Sequence, residues 1–258
     1  MIRQAVILAG GLGTRISEES ILKPKPMIEV GGKPILLHIM EFYAKSGVDN
    51  FVICAGYKAH VIKEYFCNYH LHHSDVTFST RSSEMLLHSK IEHDWRVTVT
   101  DTGVESQTGE RIRRALEYCD DQFFLTYGDG LSDIDLDALS ARHRQFNGAV
   151  TVSSVLNPSR FGVLSIDANG LVTDFAEKPD SLVDRISGGY FCCTKAKVIP
   201  YFLGDNPVWE KDCLPQMADS GELQAFEHNG FWHPMDTLRD KVYLESLVEG
   251  GKAPWLEI

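Results

Sequence analysis

The stretch "AVILAGGLGTRISEESILKPKPMIEVGGKPILLHIM", residues 5–40, decides the fold. It opens on a short apolar run, "AVILAG", which ends in glycine and predicts a buried strand. It runs into "PILLHIMEFYAKSG", where helical spacing stops at a glycine and predicts a helix. Between them lie Gly10, Gly11 and Gly13, then Arg15, and then Lys25 held between Pro24 and Pro26. The unit is a strand, a bare-backbone turn, two cations and a helix. Read outward, the same rhythm recurs. The strand candidates "FVICAG", "VTVTDTG" and "QFFLTYGDG" are each followed by a helical pattern: "KAHVIKEYFCNY", "GERIRRALEYC" and "DLDALSARHRQF". Alternating strands and helices predict an α/β protein, Rossmann-like, in three layers with a parallel sheet covered on both faces. Such sheets bind ligands at the carboxyl ends of their strands, where "AGGLGTR", "DTG" and "YGDG" all fall.

From residue 149 the rhythm changes. "AVTVSSVL", "FGVLSID", "LVTDFAEKP" and "GGYFCCT" read as strands with little helix between them, and "DANG" reads as a hairpin turn. Helical patterns return at "VWEKDCLPQMADSG" and "TLRDKVYLESLVEGG". No internal repeat or linker divides the chain, so residues 1–258 read as one domain of two halves, 1–148 and 149–258. The central sheet is expected to be mixed but mostly parallel, with a small extra β region.

The 258 residues carry a formal charge of −11, which argues against nucleic acid as a partner but not against an anion held in one basic pocket. The six cysteines form no C-x-x-C pair and sit mostly in apolar runs, as buried small hydrophobes do. With no signal peptide and no long apolar span, the expectation is a cytoplasmic protein with no membrane partner.

Successive bare amides at Gly10, Gly11 and Gly13 make an anion-binding nest. The common nucleotide fingerprints fail in detail. G-x-G-x-x-G needs glycine at 16, where Ile16 stands, and no G-x-x-x-x-G-K-[ST] occurs. A dehydrogenase is therefore a poor reading. What remains is G-G-x-G-T-R followed by Lys25. Arg15 is a planar fork matched to phosphate oxygens, and Lys25 is a point charge for anionic charge that grows in a transition state. Taken alone, Lys25 reads equally as a solvated lysine in a stiff loop, and Asp236 as the N-cap of "TLRDKVYLESL". Asp129, in "TYGDG", is placed to show a carboxylate at a strand end.

"LAGGLGTR" with "KPKPMIEVGGKPIL" resembles the signature of the sugar-1-phosphate nucleotidyltransferases, and the likeness runs over nearly the whole chain. "SQTGERIRR", "FAEKP", "GGYF", "FWHPMDTLRDK" and the closing "GKAPW" are similar to the branch that acts on CTP. The resemblance implies that fold and one reaction: CTP and glucose 1-phosphate give CDP-glucose and pyrophosphate, for dideoxysugars of bacterial surface polysaccharides such as O-antigen. It implies Mg2+ held by Asp129 and Asp236, catalysis by Arg15, Lys25 and Asp129, and a homo-oligomer. The nucleotide is expected at Leu8, Ala9, Gly10, Gly11, Leu12, Gly13, Thr14, Arg15, Lys25, Ser106, Arg111 and Gly128, and the sugar phosphate at Glu177, Lys178 and Gly189. Tyr127 and Phe161 are expected to wall the sugar pocket or to sit in the core. "FCNYHLHHSDVTF" and the tail with Trp255 are candidate subunit contacts. Two readings compete with this one: the same chemistry on UTP, dTTP or another hexose 1-phosphate, and a non-catalytic nucleotide-sugar-binding subunit.

Overall fold

The computed structural model describes residues 1–13, 16, 19, 23–88, 93–156, 163–166, 172–176 and 185–257. A seven-stranded sheet forms its centre. Its strands are β1 (Gln4–Ala9), β4 (Asn50–Ala55), β7 (Arg96–Asp101), β8 (Gln122–Tyr127), β10 (Val150–Leu156), β13 (Arg185–Thr194) and β14 (Leu223–His228). Their spatial order is β14-β10-β13-β8-β1-β4-β7. β13 pairs antiparallel with both its neighbours, and the other pairings are parallel. The sheet is thus mixed and mostly parallel, as expected. β1 lies between β4 and β8, so successive crossovers leave it in opposite directions. That point opens a crevice at the strands' carboxyl ends.

The alternation of side chains across the sheet separates two cores. Ala5, Ile7, Phe51, Ile53 and Phe124 face one layer, with Leu36, Ile39 and Met40 of α1 (Ile35–Lys45). Val6, Leu8, Val52, Cys54, Phe123 and Leu125 face the other, with Ile112 and Ala115 of the helix at Thr108–Ala115. Short polar connections need no staples around cores of this size, and all six cysteines are free, five of them buried.

The remaining helices are α2 (Ala59–Cys67), α3 (Tyr69–His73), α4 (the Thr108–Ala115 helix), α5 (Leu136–Phe146), α6 (Lys195–Val198), α7 (Leu214–Asp219) and α8 (Leu238–Glu249). Small two-stranded pairs surround the sheet. β2 (Glu29–Val30) pairs with β3 (Lys33–Pro34), β5 (Val76–Phe78) with β6 (Met85–Leu87), β9 (Gly130–Ser132) with β15 (Trp232–Pro234), and β11 (Val163–Ile166) with β12 (Val172–Ala176). The last pair is the expected extra β region, and the "DANG" turn itself lies outside the described residues.

Three expectations change. "VWEKDC" is expected as α-helix, but Trp209–Cys213 is a π-helical turn leading into α7, tied to the start of the Thr108–Ala115 helix by Trp209 N donating to Thr108 Oγ1 at 2.9 Å. The edge strand β14 was not foreseen, since an edge buries only part of one face and its apolar alternation is weak. Trp255 is not a surface contact. It is 1% exposed, stacks on Phe231 at 5.4 Å and donates its indole N–H to His38 Nδ1 at 3.2 Å. The "FCNYHLHHSDVTF" segment stays on the surface, with His72 stacked on Tyr65 and His73 against Tyr69. No helix among the described residues is long and apolar enough to cross a membrane.

His143 is fully buried between Thr151 Oγ1 and Thr194 Oγ1, each 2.9 Å from a ring nitrogen. Burial, aided by Lys197 and Arg144, pushes its pKa down to about 4. The unfolded chain takes up this proton near the ordinary histidine value and the folded chain does not. Stability is therefore full above pH ~6.5 and falls by about 2–3 kcal/mol on the way to pH ~4. A urea midpoint that drops between pH 7 and pH 5 in the native chain, and drops less in His143→Gln, is the expected result. Equal slopes would rule His143 out as the cause.

Candidate active site

Because β1, β4, β7 and β8 are parallel, the turns that follow them open on one edge. Tyr57 N donates to Gly10 O at 3.3 Å, Thr102 N to Ala55 O at 2.8 Å and Gly128 N to Leu8 O at 2.9 Å, which stitches the four turns together. They enclose a cleft of about 420 Å³, within the usual size of small-molecule sites. Leu8, Ala9, Gly10, Gly11 and Gly13 form one wall, and Ser106, Gln107, Thr108 and Arg111 another. Lys25, Pro26, Tyr127, Gly128, Asp129 and Asp236 close it. Gly13 takes φ +64°, a conformation open to glycine at little cost, and a Cβ on Gly11 would meet nothing within 4 Å, so its backbone faces open space.

Lys25 begins a 3₁₀ turn, Lys25–Met27, whose Pro26 and Met27 are buried. Pro26 packs against Gly128, where a Cβ would fall 2.9 Å from its ring. The turn thereby fixes the stem of Lys25, and its ammonium lies 2.5 Å from Asp129 Oδ2 and 2.8 Å from Asp236 Oδ1. Burial opposes this charge, but the two carboxylates outweigh it and raise the lysine's pKa. The acids are 107 residues apart in sequence. They meet because Asp129 precedes β9 and Asp236 follows β15, and these strands pair antiparallel with Gly130 opposite Pro234. Met235 N donating to Asp129 O at 2.8 Å completes the join. Asp236 is not the cap of α8. That role belongs to Thr237, in a capping box with Asp240.

Arg111 lies on the cleft and is also held by the wall behind it. Its guanidinium donates to Thr102 Oγ1 and Gly103 O, each at 2.8 Å, and to Val104 O at 3.1 Å. Gly10 and Gly56 press on it so closely that a Cβ on either would clash. It borders the cleft, and these bonds brace the wall. Ser106 donates its hydroxyl to Thr102 O, which leaves its lone pairs as acceptors.

The structure thus gathers Leu8, Ala9, Gly10, Gly11, Gly13, Lys25, Ser106, Arg111, Gly128, Asp129 and Asp236 around one space. Leu12 does not line it and is 52% exposed. Thr14, Arg15, Phe161, Glu177 and Lys178 lie outside the described residues. Gly189, at φ +75°, sits against the Tyr127 ring on a small adjoining cavity with Gly188, Asp129 and Trp232. Sequence reasoning missed Gln107 and Thr108, which look like ordinary helix-start residues, and Trp232, whose indole donates to Gly188 O at 2.7 Å. The quoted stretch "FWHPMDT" did contain Trp232, but nothing in its spacing points at a glycine pair elsewhere in the chain.

The model of the nucleotidyl transferase family matches residues 4–237. The chain is 53% identical over 254 residues to a glucose-1-phosphate cytidylyltransferase of Salmonella typhi, covering 98% of each chain. It is 53% identical, over the same shares, to the glucose-1-phosphate cytidylyltransferase of Salmonella typhimurium. Among solved structures it is similar in fold to HddC from Yersinia pseudotuberculosis complexed with GMP-PN, with a TM-score of 0.69, 24% identity, and coverage of 96% of this chain and 100% of the other.

Proposed function

The chain belongs to the nucleotidyl transferase family, and from that premise we propose that it transfers a cytidylyl group from CTP to α-D-glucose 1-phosphate. A phosphate oxygen of the sugar phosphate forms a bond to the α-phosphorus of CTP, the bond from that phosphorus to its bridging oxygen breaks in line, and pyrophosphate leaves. The products are CDP-glucose and pyrophosphate. The observation that carries the proposal is the convergence of Lys25, Asp129 and Asp236 at the mouth of the glycine turn. The bare amides from Gly10 to Gly13 suit the triphosphate, and Lys25 supplies a fixed charge where negative charge grows. Ser106, facing the cleft as an acceptor, suits the exocyclic amine of cytosine better than the carbonyl of uracil.

Asp129 and Asp236 also fit a divalent ion. Both carboxylates already converge on one cationic point, and magnesium favours one or two carboxylates with phosphate oxygens and waters. These residues would hold Mg2+, which supplies charge neutralisation on the triphosphate. The relatives' names fit an enzyme making CDP-glucose, and six free cysteines, five of them buried, fit a reducing compartment such as the cytoplasm.

The test is pyrophosphate release from CTP, UTP and dTTP with glucose 1-phosphate. CTP is expected to lead by about 10²-fold or more in kcat/KM, since a site built around one hydrogen-bond pattern rejects its inverse. Equal rates with UTP would defeat the cytidylyl assignment. Tight CDP-glucose binding with no turnover of any triphosphate would favour a non-catalytic binding subunit.

A further inference from the structure

Tyr127 stands where the two cavities meet. It lines the nucleotide cleft on one side, and on the other its ring covers Gly189 beside the smaller cavity. Its hydroxyl does not point at either space as a free donor. It donates to Glu210 Oε1. The other carboxylate oxygen, Oε2, accepts from Thr108 Oγ1 at 2.6 Å, and Thr108 opens α4 on the rim of the nucleotide cleft. One carboxylate therefore ties the nucleotide wall to the partition between the cavities.

The tie is set in rigid surroundings. Glu210 rides on the π-helical turn Trp209–Cys213, a rare geometry that recurs at functional sites. Its neighbour Trp209 is fully buried, stacked on Phe202 at 5.9 Å, and its backbone N–H donates to Thr108 Oγ1 at 2.9 Å. The preceding residues lie on α4 itself. Glu110 N donates to Pro207 O at 3.0 Å, and a Cβ on Gly109 would fall 2.7 Å from that oxygen, so the close approach requires glycine. A segment from the second half of the chain thus holds the first half's nucleotide wall.

We propose that Glu210 is a positioning residue for the transfer reaction, fixing Thr108 and Tyr127 at a set separation so that the nucleotide and the sugar phosphate meet in line. This rests on the proposed reading of the cleft. In-line attack needs the reacting atoms about 3–3.5 Å apart, and a misplacement of about 1 Å costs on the order of 10²-fold. The contacts assign Glu210 no part in touching substrate, since both its oxygens are engaged by the protein.

The test is a set of variants, Glu210→Ala, Glu210→Gln, Tyr127→Phe and Thr108→Val, with the double variants, measured by steady-state kinetics and thermal unfolding. Glu210→Ala is expected to lower kcat about 10- to 100-fold with KM for CTP changed less than threefold, and Glu210→Gln, which keeps an acceptor for Tyr127, to recover part of the loss. Tyr127→Phe and Thr108→Val should each lower kcat in the native background and add little to Glu210→Ala, because residues in one network are non-additive. A Glu210→Ala enzyme with native kcat, or one whose kcat loss adds in full to that of Tyr127→Phe, would overturn the proposal, as would a loss that tracked only the fall in Tm. Absence of pyrophosphate release from CTP by the native enzyme would count against the functional reading instead, and the same cycle would then be run on UTP or dTTP.

Discussion

Replacing Lys25 with alanine is expected to cut turnover by about 10²–10³-fold while leaving the protein folded. The two effects separate by magnitude. The rate loss corresponds to about 3–4 kcal/mol of lost transition-state stabilisation. The loss of fold stability should be smaller. Lys25 is only 13% exposed, but Asp129 and Asp236 keep 28% and 23% of their side-chain surface open, so water shares in stabilising them. With that screening, about 1–2 kcal/mol is expected from the broken pair, within the 5–15 kcal/mol of a typical domain. A second signature follows from the charges left behind. Without the ammonium the two carboxylates lose the positive charge they share, so magnesium should raise the Tm of Lys25→Ala more than that of the native chain. Turnover measured beside a thermal melt decides the matter, and native turnover in the variant would remove Lys25 from the mechanism.

Asp129→Asn should have an effect at least as large, about 10²–10⁴-fold in kcat, because in the proposed role as a Mg2+ ligand Asp129 would carry several kcal/mol of charge stabilisation. Fold disruption is not expected to account for it. The strand join runs through the backbone, with Met235 N on Asp129 O, and the amide side chain leaves that bond in place. Lys25 would keep Asp236 as a partner. The rate should no longer respond to magnesium across a titration in which the native enzyme rises and saturates. A fully active variant that still responds to the metal would contradict the assignment of Asp129 as a ligand.

Much of this was legible in the sequence because its causes are local. The run Gln4–Ala9 makes a buried strand by composition alone, and its alternate residues divide between two cores because a strand's side chains alternate. Once the strands were read as parallel, their carboxyl ends had to share an edge, so Gly10, Gly128 and Asp129 were bound to come near one another. Pro24 and Pro26 marked Lys25 as aimed, and Pro26 does pack under the turn. The bracing of Arg111 was not legible for an equally physical reason. A sequence shows a guanidinium but not the Thr102 hydroxyl and the Gly103 and Val104 carbonyls that hold it, which come from a loop it reaches only in the folded chain.

The sequence by itself determined the three layers, the strand-end glycine turn and the kinds of charge that gather there, since each depends on residues a few positions apart. Only the tertiary structure decided which distant groups meet. The antiparallel pairing of Gly130–Ser132 with Trp232–Pro234 sets two acids around one lysine, and the docking of Trp209–Cys213 on the start of α4 puts Glu210 between Thr108 and Tyr127. Contacts between such remote segments follow from the register of packed elements, and that register is fixed by the whole core at once rather than by any stretch of chain.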